Sequence, residues 1–217
     1  PATGHGNHDH SAAENEDDHY DPHLWLDPER YMQMMDNAAQ GLSALGYGNY
    51  DDYRAELARV KELGLKGIKL HPVYQDVDFD DIRTLRILDR AAELGLIVLT
   101  HSGLDVGFPG RVRVTPAMVQ HAVKEVGPLT LILAHMGGWR NWDEAEDLLA
   151  DAPVYLDTSY SLGTLHALDD GYYKPEDLPM LSQEQFLRMV HTFGPHRFLF
   201  GTDSPWGDQS QGVERIR

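Results

Sequence analysis

From residue 51 onward the sequence alternates between amphipathic helical stretches and short apolar runs, and that alternation leaves few folds open to the chain. Helical spacing covers 51–63, 81–94, a segment opened by Thr115-Pro116, 143–150 and 182–193. Apolar runs follow at 67–70, 96–100, 129–134, 154–157 and 197–200. Gly64, Gly95 and Gly127 stand where the first three helices stop, and glycine closes a helix in the left-handed conformation at least cost. Asp143 with Glu146, and Ser182 with Gln185, have the spacing of capping boxes. Strands without polar alternation are expected to be buried on both faces, which means a parallel sheet covered by helices. Right-handed crossovers then point every strand the same way, so the class expected is α/β.

Parallel strands share one C-terminal rim, and side chains that follow each strand converge there. The residues in question are His71, His101, His135, Asp157 and Asp203. Neutral imidazoles with a carboxylate hold a zinc-like ion where thiolate is absent. Catalytic groups of barrels built this way sit on that rim. His101, His135 and Asp203 are therefore the expected metal site, with His135 and Asp203 also the expected catalytic pair. His71, which precedes Pro72, is read as a hydrogen-bonded structural residue, and Asp157 as a cap for the loop 158–161. His121, His166, His191 and His196 share no such grouping and are read as surface. Arg111, Arg113, Trp139, Arg140 and Trp206 fall in rim loops, where they are candidates to bind a substrate carboxylate or ring. Surface solvation is the competing reading of the arginines.

Composition removes several classes of function. With no cysteine there is no disulfide framework, thiolate zinc cluster or cysteine nucleophile. The balance of 18 Lys+Arg against 35 Asp+Glu, net −17, excludes nucleic acid as the expected partner, because backbone binding needs clustered cations. Apolar runs such as 96–99 are far too short to span a bilayer, so no membrane partner is expected either. The chain opens on Pro1 without a basic-then-apolar segment, as a processed form or fragment would.

The motifs LKGIKLHPVYQ, IVLTHSG, LILAHMGGW, VYLDTS and RFLFGTDSPWG, in that order, resemble the amidohydrolase-related metal-dependent hydrolases. Within them they are most similar to the branch of aminocarboxymuconate-semialdehyde decarboxylase. The resemblance runs from about residue 45 to the end and implies a TIM-type (β/α)₈ barrel with one divalent metal, usually zinc. It places His101 as the ligand after the fifth strand and Asp203 as the aspartate after the eighth. His135 matches the histidine after the sixth strand, more a catalytic group than a ligand. Lys69 lies where distant relatives carry a carboxylated lysine that this branch generally lacks. The family's first strand and its Asp-x-His-x-His ligands have no counterpart, so 46–217 is expected to form a partial barrel of about five β/α units.

The beginning of the chain is unlike the rest. Five of the 12 histidines (His5, His8, His10, His19, His23) fall in the first 23 residues. The first 29 residues carry eight Asp or Glu and no Lys or Arg. Residues 1–26 are expected to be a disordered acidic tail, and 27–45 a helix opened by Asp27-Pro28. The stretch from His5 to Leu45 is similar to the His-rich region of zinc-binding solute receptors of ABC transporters, which implies that His23 of HLWLDP is a zinc ligand. His8 and His10 are secondary metal candidates, as substitutes for the missing first-strand ligands. The whole reads as a junction of two zinc-protein fragments.

The leading expectation is a metal-dependent hydrolase, or a non-oxidative decarboxylase, acting on a small carbonyl compound through a metal-activated water. Zinc capture by the tail, or a catalytically incomplete barrel, are the alternatives. A small-molecule substrate is expected, with homo-oligomers allowed by the open sheet edges. The cytoplasm is the expected compartment, or the periplasm if the N-terminal resemblance governs.

Overall fold

A computed structural model describes residues 50–163, 173–204 and 209–217. The expected tail and the helix over 27–45 lie outside those residues. Five strands form one sheet in which every neighbouring pair is parallel: β1 (Gly67–Leu70), β2 (Ile97–Thr100), β3 (Leu131–Leu133), β4 (Val154–Asp157) and β5 (Phe198–Leu199). Their spatial order is their chain order. The longer helices are α1 (Tyr50–Glu62), α2 (Ile82–Glu93), α3 (Pro116–Val126), α4 (Trp142–Leu149), α5 (Gln183–Phe193) and α6 (Gln209–Ile216), and a single helical turn, Pro72–Gln75, follows β1. Successive helices from α1 to α5 pack side by side. Sequential strands with helices on one side are the arrangement of a barrel sector. Among the described residues no helix is long and apolar enough to cross a membrane.

Local chemistry accounts for the helix starts. Asp81 accepts from the Arg83 amide at 2.9 Å, Thr115 from Met118 at 3.2 Å and Ser182 from Gln185 at 3.1 Å. Pro116 occupies the first turn of α3, where its missing N–H costs nothing. On α2 the buried residues Thr84, Leu88 and Ala91 recur at helical spacing and form one face. The expected capping box at Asp143 and Glu146 does not form. Helix α4 begins earlier, at buried Trp142 after a turn in which the Asn141 amide donates to Gly138, and no side chain caps it. Asp143 and Glu146 instead pair with Arg188 of α5. Strand β5 is also shorter than expected, because Pro195–Arg197 forms a 3₁₀ turn.

Register decides which face each strand residue takes. Leu70, Thr100, Leu133 and Leu156 align across the sheet and are buried beneath the helices. Lys69, Leu99, Ile132 and Tyr155 form the alternate row on the concave face. That row is not fully buried: Lys69 keeps accessible surface and Tyr155 is 37% exposed. The expectation of strands buried on both faces therefore holds on the helix side only. Five consecutive strands describe part of a barrel's circumference, and a barrel interior becomes dry only when its side chains meet across a closed ring.

Asp81 gives a direct test of the capping argument. Hydrogen bonds from the Arg83 side chain and amide hold its carboxyl down from 3.8 to about 2. A lowered acid pKa contributes stability above the unfolded value and loses it as pH falls toward the folded one. Replacing Asp81 by Ala should cost about 1 kcal/mol in urea denaturation at pH 6. The difference from the parent chain should shrink between pH 3.8 and about 2.

Candidate metal centre

Three side chains gather at the C-terminal ends of β1 and β2. The ladder continues past the strands, with the His101 amide donating to the Leu70 carbonyl at 3.0 Å. His71 and His101 each follow a residue of the helix-facing pair Leu70 and Thr100, so alternation turns both toward the concave side. Their rings stack with centroids 4.4 Å apart and planes 14° from parallel. Asp105 joins them from the loop after β2, its Oδ2 3.1 Å from His71 Nε2 and 4.0 Å from His101 Nε2. The Gly107 amide donates to Asp105 Oδ1 at 2.7 Å and so fixes the carboxylate.

One ligand atom from each of His71, His101 and Asp105 lies within 4.8 Å of the other two. Donors about 2.1 Å from a tetrahedral ion are about 3.4 Å from one another, which the two measured gaps bracket. His101 and Asp105 are buried and His71 is half-buried. His101 Nε2 and His71 Nδ1 are buried without hydrogen-bond partners among the described residues. A buried polar atom left unpaired costs about 1–3 kcal/mol, a penalty that a cation beside Asp105 removes at His101 Nε2. Two imidazoles and one carboxylate suit a zinc-like ion and leave a coordination position open, as catalytic sites do. Burial, reinforced by His135, His71 and Lys69, keeps the His101 pKa well below the ordinary imidazole value. His101 is thus a neutral donor at pH 7.

The other expected site residues surround this group without all joining it. His135 follows β3 and opens the 3₁₀ turn His135–Gly137. Its Nε2 is 3.0 Å from His101 Nδ1, so the structure brings His101 and His135 together through the ring edge that faces away from Asp105. Asp203, on the loop after β5, is exposed and stands outside the three-residue group, although its charge reaches Lys69 and Tyr160. Lys69 lies on the concave face of β1, where surrounding protein lowers its pKa while Asp157, Asp203 and Asp105 oppose that shift. The Tyr160 hydroxyl is pushed well up by burial, with the same Asp203 and Asp105 adding to it.

The structure departs from several expectations. His71 does pair with a side chain, Asp105, as a structural residue would, and it also stands among the three clustered donors at the rim. Asp105, four residues after His101, went unrecognised, since a carboxylate in an irregular loop carries no periodic signal. Trp139 is fully buried, packs in the core and donates its indole N–H to the Pro179 carbonyl at 3.0 Å. Arg111 pairs with Asp76 at 2.9 Å and Arg113 with Asp78 at 2.8 Å, both on the loop after β1. Arg140 lies over the Trp139 ring and donates to the Asp177 carbonyl at 2.8 Å. All three guanidinium groups have partners within the protein. Trp206, His8, His10 and His23 lie outside the described residues.

A family profile described as amidohydrolase matches residues 13–216. The chain belongs to the amidohydrolase family. That match enters the segment assigned by resemblance to zinc receptors, and the receptor resemblance finds no support. Among solved structures, 5-carboxyvanillate decarboxylase from Sphingomonas paucimobilis aligns with a TM-score of 0.53 at 16% identity, over 90% of this chain and 70% of that one. Dihydroxybenzoic acid decarboxylase from Polaromonas sp. JS666, solved with manganese and the inhibitor 2-nitroresorcinol, aligns at 0.51 and 16% identity, over 87% and 68%. 2,6-Dihydroxybenzoate decarboxylase from Rhizobium aligns at 0.51 and 17% identity, over 90% and 74%. Likeness at such identity is likeness of fold. No curated protein matches the chain.

Two measurements probe the geometry. An unfolded histidine takes up a proton near pH 6.5 while folded His101 resists it, so stability should fall as pH drops below about 6.5. That acid limb should flatten in metal-free His101→Gln. Gly103, at φ +79°, bridges to Trp139, and a Cβ there would meet the Trp139 amide nitrogen at 2.4 Å. Gly103→Ala should cost about 1–3 kcal/mol in denaturant unfolding.

Proposed function

We propose that the chain carries the metal centre of an amidohydrolase acting on a small carbonyl or carboxylate compound, with His71, His101 and Asp105 holding one divalent ion. The observation that carries this reading is His101 Nε2, a buried nitrogen without a partner, beside the Asp105 carboxylate. Two imidazoles and a carboxylate favour zinc. Manganese in the Polaromonas relative supports a divalent ion of this general kind. When bound, such an ion acts as a Lewis acid that polarises an oxygen of water or substrate.

The remaining rim residues have separable tasks. Asp203, exposed on the loop after β5, accepts or returns a proton during turnover. Lys69 offers the positive charge that draws a substrate carboxylate onto the concave face, in a chain whose net charge of −17 otherwise repels anions. Both ring nitrogens of His135 are engaged, by Ser159 and by His101, so it serves the site through His101 instead of touching substrate. The three relatives compared are named decarboxylases, which supports non-oxidative decarboxylation ahead of hydrolysis.

Zinc titration calorimetry on the full chain tests the assignment. Alanine at His71, His101 or Asp105 should each weaken the tight site by more than the roughly 10–100-fold typical of losing an outer-shell partner. Asp203→Asn should leave that affinity within a few fold, roughly, while abolishing turnover of a hydroxybenzoate carboxylate. Several weak sites, lost on deleting residues 1–23 and indifferent to the three alanines, would replace this reading with zinc capture by the tail.

A further inference from the structure

We propose that Asp157 and Ser159 are positioning residues that set the tautomer of His101 through His135, so that His101 presents Nε2 to the metal group as a bare donor. The inference rests on the metal reading above only for its consequence, since for neutral imidazoles the proton positions follow from hydrogen-bond directions. Asp157 Oδ1 is a carboxylate oxygen, which accepts, and the Ser159 hydroxyl donates to it. With its hydrogen spent, Ser159 Oγ can only accept from His135 Nδ1, 3.2 Å away. The Ser159 carbonyl oxygen, 3.1 Å from the same nitrogen, can also only accept. Nδ1 of His135 therefore carries the hydrogen. The reverse tautomer would aim its lone pair at two acceptors.

The consequence passes along the chain of rings. Neutral His135 with a hydrogen on Nδ1 has a bare Nε2, and this atom lies 3.0 Å from His101 Nδ1. His101 must supply the hydrogen of that contact, which places it on Nδ1 and leaves Nε2 bare. That is the buried nitrogen with no hydrogen-bond partner among the described residues, beside Asp105. A metal needs an unprotonated nitrogen, and the hydrogen bond made by the far side of the ring decides which nitrogen is free. The same Asp157 oxygen accepts from the backbone amides of His135 at 3.1 Å and Ser159 at 3.0 Å. One carboxylate thus holds His135 in place, at its left-handed φ of 61°, and orders its proton. Capping of the loop after β4 explains only the Ser159 amide contact and predicts nothing for His101.

Long-range ¹H–¹⁵N correlation on the ¹⁵N-labelled, metal-free full chain reads the tautomers directly. Both His135 and His101 should carry hydrogen on Nδ1, and finding His101 with hydrogen on Nε2 overturns the proposal whatever the variants do. Zinc affinity, measured by competition with a chromophoric chelator, reads the consequence. His135→Leu should weaken it by about 10–100-fold. His135→Gln, whose amide oxygen can still accept from His101 Nδ1, should recover most of that loss. Ser159→Ala keeps the backbone carbonyl that accepts from His135 Nδ1, so the hydrogen should stay on Nδ1. A folded His135→Leu chain with parental zinc affinity overturns the proposal. Absence of any tight zinc site, with both hydrogens found on Nδ1, would instead sink the metal reading and leave the tautomer assignment standing.

Discussion

The parallel ladder does not stop where the strands stop, and the rim depends on that continuation. His101 donates to Leu70, Ala134 to Thr100, and Thr158 to Leu199, each at 3.0 Å. These bonds hold the first residues after β2, β3 and β4 as firmly as strand residues, so side chains there have fixed directions. In a parallel sheet the bonds are evenly spaced and slanted, and each strand hands its end to the next in register. Two rings stacked 4.4 Å apart can be held there because their backbones are one ladder step apart. Asp105, which lies beyond the ladder, is fixed instead by the Gly107 amide.

The rim departs from low-energy backbone where the chemistry lies. His135, Met136, Tyr160 and Asp203 all have positive φ without being glycine. Such conformations persist where the surroundings over-determine them. At His135 this is visible: its amide is held by Asp157, and its carbonyl accepts from the Trp142 indole at 3.0 Å and the Gly138 amide at 3.1 Å. Strain, an unpaired buried imidazole nitrogen and a lysine close to three carboxylates occur within one small region. Each is unfavourable alone, and together they mark where binding and not stability shaped the chain.

Much of this was legible in advance, for reasons that are local. Helix α2 is set by Asp81 as its cap and by apolar spacing that any window of the sequence contains. The five apolar runs are read as strands because they are short, β-branched and bounded by glycine or polar residues. The candidate group was legible only in part. His101 follows a strong strand and stands out, but His71 looks no different from a structural histidine before proline until its ring is seen against His101. Asp105 and Ser159 had no signal at all, because their roles come from partners 34 and 24 residues away, His71 and His135.

What the sequence determined by itself is the order of elements, the common direction of the strands and the presence of histidines and aspartates at their ends. Periodicity, capping and chirality act within about a dozen residues, so they are written in the chain. Which donors share a site was decided by the tertiary structure alone. Strand register, loop conformation and the aim of each ring nitrogen are set by contacts across the sheet, and those selected His71 and Asp105 beside His101 while leaving Asp203 exposed. The pairing of the arginines has the same origin: Arg111 and Arg113 meet Asp76 and Asp78 only because the loops after β1 and β2 fold against each other. No local rule foretells a pairing between residues that become neighbours only when the sheet forms.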